Sequence, residues 1–156
     1  MRLLSLAALL PAFALAGCGA RRIPGTDIRD TSDTRAIIAA IDSYRRAAER
    51  RDAGAVLAIV SPKYFDDAGT PEPADDVDYE QLKKRLTEDY KVITALRLDM
   101  AVKHVNVDGD EAAAFVFYDE HYRIATQAGE VAKAASDTHR MLLRREGGAW
   151  HFASGL

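Results

Sequence analysis

The sequence predicts an α+β fold: N-terminal helices packed on a strongly curved antiparallel sheet, in the order α-α-β-α-β-β-β-β. Three observations carry that expectation. Apolar residues recur at three- and four-residue steps up to Ile93 and alternate with polar residues after it. Asp108-Gly109 and Gly147-Gly148 are dipeptides of the kind that close tight hairpins. The 156 residues are 48% apolar and 29% charged, the balance of a packed domain rather than a disordered chain. Helices followed by a meander of strands leave the helices to cover one face of the sheet.

The chain opens with Met1-Arg2, an apolar run from Leu3 to Ala16, and then Gly17-Cys18. A positive end, a short apolar stretch and small residues before a cut are the pattern of a signal peptide. The stretch is too short to span a bilayer comfortably, which takes about 18 residues or more. Leu15-Ala16-Gly17-Cys18 resembles the lipobox of bacterial lipoproteins. That resemblance implies cleavage before Cys18, acyl chains on Cys18 and, with Gly19 behind it, sorting to the outer membrane. Ala14-Leu15-Ala16 also satisfies the small-residue rule for ordinary secretion. The only cysteine of the chain stands at this cut, which favours the lipidated form. Residues 1–17 are therefore expected to be a leader, 18–33 a lipidated tether and 34–156 the domain.

Removing 17 residues from 156 leaves 139, enough for one core. With Arg2 gone, 20 Lys and Arg face 24 Asp and Glu, a formal −4. That balance argues against a nucleic-acid partner, which needs a basic footprint. Without a second cysteine, no intramolecular disulfide can form.

Within the domain, Ile37, Ile41, Tyr44 and Ala48 define a first helix over 34–51, capped by Ser32 or Asp33. Asp52 opens a short second helix over 53–60, which Pro62 stops. Tyr64-Phe65 reads as a short strand and 68–78 as an acidic loop. Asp78 caps a third helix over 79–93 whose buried stripe is Tyr79, Leu82, Leu86, Tyr90 and Ile93. Strands are expected around Leu96–Val102, over 112–126, over 137–145 and over 150–156. Residues 127–136 read as a wide connection.

This order resembles the nuclear transport factor 2-like superfamily. The phrases that carry the resemblance are Ile41-Asp42-Ser43-Tyr44 through Arg51-Asp52-Ala53 and Val56-Leu57-Ala58, and then Arg140 through Trp150. It implies a cone in which a bent sheet wraps a long helix and leaves an apolar cavity. Members include isomerases, cyclases, dehydratases and modules without chemistry, so fold alone names no reaction. The isomerase branch carries an oxyanion-donating Tyr eight residues before an acidic residue in the next turn. Tyr44 stands eight before Asp52. Its base falls near Asp66 or Asp67, but its second oxyanion donor falls at Met141. A thioether donates no proton, so the resemblance implies an incomplete oxyanion hole.

The candidate cavity residues are Tyr44, Tyr64, Tyr118, His121, His139 and Trp150. The candidate acid–base set is Tyr44 with Asp67, Asp119 or His121. Asp119 and His121 lie two apart on one strand and share a face; with His139 on the next strand they could form one cluster. Two phases are open. Either Val116, Tyr118 and Tyr122 point inward, or Phe115, Phe117, Asp119 and His121 do. The four histidines lack metal-site spacing, so no metal or other cofactor is expected. The leading expectation is an envelope module, anchored to the bilayer through Cys18, that binds without catalysis. Its partners would be a small apolar ligand, an envelope protein or a second copy docked on the sheet face. The alternative is a small cavity enzyme of the isomerase, dehydratase or hydrolase kind.

Overall fold

The computed structural model describes residues 21–156; the leader and Cys18 lie outside the described residues. Helix α1 spans Ser32–Glu49. Its cap is Thr31, just before the two residues expected. The Thr31 hydroxyl accepts from the Thr34 amide at 3.1 Å, and the Thr34 hydroxyl accepts from the Thr31 amide at 3.0 Å. That reciprocal pair satisfies two amides that a helix start leaves open. Helix α2, Ala53–Leu57, is capped by Asp52, whose carboxylate accepts from the Ala55 amide at 2.9 Å. It was expected to reach Val60. It stops at Leu57 because Ile59 and Ser61 give their backbone groups to Phe152 instead, at 2.9 and 2.8 Å.

Strands β1 (Phe65–Asp66) and β2 (Val77–Asp78) pair with each other, so the expected loop ends in a strand. Helix α3, Tyr79–Val92, begins at Asp78 with a capping box to Gln81. The main sheet follows: β3 (Ile93–Asp108), β4 (Glu111–Thr126), β5 (Gly129–Glu146) and β6 (Ala149–Ser154), antiparallel and in chain order. Two expected turns move. Asp108 pairs with Glu111, so the first turn is Gly109-Asp110, with Gly109 at φ 58°. Thr126 pairs with Gly129, so the wide connection shrinks to Gln127-Ala128 and the rest of it is strand.

Part of the stretch expected as a tether is folded. From Arg21 the chain is folded: Asp30 N–H bonds Arg21 C=O at 2.7 Å, and Ile23 N–H bonds Ile28 C=O at 2.9 Å. Ile28 is buried at 2% exposure. The Asp30 carboxylate takes ion pairs from Arg21 and Arg35. Those guanidinium groups hold its carboxyl below the usual range, the Arg35 bond being the main cause. Residues 21–31 thus form a collar at the start of α1.

The core lies between α1 and the sheet. Ile37, Val56, Val116, Leu143 and Phe152 are its largest fully buried apolar side chains. Small Ala112 and Ala114 on β4 are buried with them. At one end the sheet runs past the helices, and β5 is exposed from Gly129 to Arg140.

Candidate functional site

The phase of β4 builds the site. Ala112, Ala114 and Val116 are buried, so Tyr118 and Glu120 continue the helix-facing side. Phe115, Phe117, Asp119 and His121 take the outer face. Across the hairpin, Val116 pairs with His139 and Ala114 with Met141; across β3, Met100 pairs with Tyr118 and Leu98 with Glu120. Paired residues share a face. One side of the bent sheet thus collects Leu98, Met100, Tyr118, Glu120, His139 and Met141 around a cavity of about 200 Å³. Tyr44 comes in from α1, its ring 5.8 Å from that of Phe152. Gly155 and Leu156 complete the wall. A wider groove of about 510 Å³ also touches His139, Gly155 and Leu156 and leads to Asp67, Arg85 and Arg140.

Tyr44, Tyr118 and Glu120 are half-buried and His139 is exposed, and among the described residues none of their side chains is hydrogen-bonded. Desolvation pushes the Tyr44 hydroxyl above its ordinary range, with nearby Tyr90 and Glu120 adding to it. Desolvation also raises Tyr118, helped by Glu120. The Glu120 carboxyl is raised by desolvation, and His139 opposes the shift. No hydrogen bond contributes to any of these three shifts. His139 stands at the exposed rim, its ring edge-on to Tyr118 at 4.7 Å. The outcome is an apolar pocket with two phenols, a carboxyl and an imidazole available to a guest.

Of the sequence candidates, Tyr44, Tyr118 and His139 meet in this cavity. Tyr64 lies beside it in a structural role. Its hydroxyl accepts from the Leu156 amide at 3.0 Å and stands 3.2 Å from an Asp66 carboxylate oxygen, which also accepts from Gly155 N–H at 2.7 Å. Burial pushes the Tyr64 hydroxyl up as well. Trp150 was expected near the cavity; it is buried instead beneath the Arg145 guanidinium, 4.5 Å from its ring. Asp67 sits on the loop at the groove rim, accepting from the Gly69 amide at 3.0 Å. His121 and Asp119 contact each other at 3.4 Å on the outer face.

The expected cluster of Asp119, His121 and His139 is therefore divided by the sheet. Glu120 was missed. Its signal was present, since it lies two residues beyond Tyr118 and four beyond Val116 in the inward phase. Among the described residues, no group of three or more His, Cys, Asp or Glu could hold a metal ion. No described helix is long and apolar enough to cross a membrane.

No family model matches the chain, and no curated protein matches it. Solved structures do. A ketosteroid isomerase-like protein from Erwinia carotovora atroseptica superposes with TM-score 0.65 at 21% identity, over 81% of this chain and 95% of that one. A candidate dehydratase of the NTF2-like family from Streptomyces avermitilis gives 0.61 at 16%, over 80% and 95%. The Kfla4162 protein from Kribbella flavida gives 0.67 at 14%, over 79% and 87%. Likeness at these identities concerns the backbone path, and it agrees with the helix-on-curved-sheet arrangement described above. The chain has the α+β cone fold of the nuclear transport factor 2-like proteins.

Proposed function

We propose that this chain is a cell-envelope lipoprotein, held at a bilayer by acylated Cys18, whose cone binds a small, mainly apolar molecule with one polar end. The observation that supports it best is the cavity lining. Leu98, Met100, Met141 and Leu156 offer an apolar bed, while Tyr44, Tyr118 and Glu120 stand free to bond a guest. The lipobox residues around Cys18 support the anchor. Several acyl chains hold a protein where one binds only marginally, because each buried CH₂ contributes about 0.8 kcal/mol.

Two measurements test the two halves. Cells given a labelled fatty acid should mark the chain, and Cys18→Ser should lose both the label and membrane fractionation. A ligand-observed NMR screen of small aromatic and alicyclic alcohols and ketones should find binders that Tyr44→Phe or Glu120→Gln weakens. Absence of label, or binders indifferent to both substitutions, would refute the respective half.

Catalysis is the second reading, and the raised carboxyl of Glu120 favours it. A carboxyl that holds its proton more tightly than usual can pass it to a bound carbonyl or hydroxyl. Turnover lost in Glu120→Gln, with a pH profile set by one carboxyl, would carry that reading over simple binding.

A further inference from the structure

We propose that the anchored domain stands on the bilayer with the collar and α1 N-terminus down, so that its cavity is filled from the water phase rather than from the membrane beneath it. This rests on the anchor read at Cys18. The argument starts from the length of the leash. Three residue steps separate Cys18 from Arg21, which span at most about 11 Å. Arg21 is already part of the fold, bonded through its carbonyl to Asp30 and through its guanidinium to the Asp30 carboxylate. A tether reaching to residue 33 would let the domain float; this one does not.

The collar wraps the N-terminal half of α1, where Arg21, Ile23 and Pro24 line a hollow with Ile38, Ala39 and Asp42. Its residues Asp27–Arg29 line a hollow with His104–Val107, near the end of β3. There Arg145 reaches Asp33 at 2.7 Å at the start of α1. The opposite end carries the α1 C-terminus, where Glu49 accepts from the Leu98 amide at 3.1 Å, and the β4–β5 turn at Gln127-Ala128. The cavity lies in that far half. From Asn106 beside the collar to Met100 at the cavity is six strand residues, about 20 Å. Between the collar hollow and the cavity, Ile37, Ala114, Leu143 and Phe152 are packed at 2% exposure or less. No lipid tail has a path from the anchor to the cavity through that core.

Charge does not set this stance. Around the collar Arg21, Arg22, Arg29 and Arg35 face Asp27, Asp30 and Asp33, and Arg21, Arg22 and Arg35 are ion-paired there. The surface is nearly neutral and gives anionic lipid little to attract. The short leash alone imposes the orientation. The guest is then a solute of the compartment the domain faces.

The test takes a chain beginning at Gly19, converts its N-terminal glycine to a glyoxylyl group and couples it to an aminooxy lipid in phosphatidylcholine vesicles, so that the leash stays short and the result does not depend on natural acylation. A fluorophore is placed at Ser32→Cys or at Gln127→Cys, and the vesicles carry nitroxide headgroups. Quenching at position 32 should exceed that at 127 several-fold. Twenty Gly and Ser residues inserted between Ala20 and Arg21 should remove the difference. Equal quenching at the two positions, or a difference that survives the insertion, overturns the proposal. Loss of labelled fatty acid on the native chain would count against the lipoprotein reading and leave this geometric result standing. A second arm adds a binder from the NMR screen from outside to preloaded vesicles. Association as fast as in the detached chain is expected; association limited by the binder's partition into lipid would refute the water-phase route.

Discussion

Tyr64→Phe isolates one hydroxyl that pins the cavity wall. The Tyr64 hydroxyl takes the Leu156 amide proton at 3.0 Å. Its own proton goes either to the Asp66 carboxylate at 3.2 Å or to the Leu156 carbonyl at 3.3 Å. Phenylalanine keeps the shape, so no void opens and only the bonds are lost. A neutral bond contributes about 1 kcal/mol and one to a carboxylate about 1.5–3. Leu156 is half-buried, so water replaces part of this. The expected loss is about 2 kcal/mol, near the low end of that sum. For a domain of this size that lowers Tm by about 8 °C. Urea denaturation should show a lower midpoint with an unchanged slope. Cavity ligands should bind more weakly, because Leu156 then moves freely. A stability within about 0.5 kcal/mol of the wild type would mean that the hydroxyl does not hold the segment.

Other outcomes are equally direct. Glu120→Gln should stabilise the domain at neutral pH. With its folded value raised, Glu120 contributes stability that is fully present below its ordinary value of 4.5 and lost as pH rises through the folded value, so the gap between the two proteins in thermal melts should open with pH. Gly155→Ala should cost about 2 kcal/mol in urea titrations; the added carbon would lie 2.5 Å from the Arg140 carbonyl oxygen, at a φ of 89°. Phe152→Ala, at 0% exposure, should lose about 4 kcal/mol and abolish ligand binding with it. Asp30→Ala should release the collar, raising amide exchange at Ile28 and leaving that at Phe152 unchanged.

The helices were legible because each buries one stripe and begins with a polar cap: Ile37, Ile41 and Ala48 give the first away, Asp78 with Leu82 the third. The outer half of β5 was not. Gly129 to Ser136 buries neither face, so it carries no alternation, and only its ladder to β4 makes it a strand. Missing that strand hid the site. With a wide connection the parity between β4 and β5 is undetermined, and His139 could share a face with His121. A two-residue turn fixes the parity and sets His139 opposite Val116. Phe115 to Tyr118 is apolar on both faces, so the deciding signal lay in small Ala112 and Ala114, both of which are buried. The collar was read as a tether because Ile23 and Ile28 are its two large apolar residues and define no helix or strand period.

The long β4–β5 hairpin divides the sheet into two mechanical regimes. Toward Ala114 and Leu143 the helix-facing side of the sheet is buried in the core, and opening there requires the whole domain to unfold. Toward Gln127 the backbone bonds are shielded by little more than each other, so local fraying there is cheap. Tyr118, Glu120 and His139 stand at the border between the two. Hydrogen exchange should therefore run as a gradient down the arm, fast at its tip and slow past Val116. The pocket can breathe wider by bending that arm while the core beneath it stays shut.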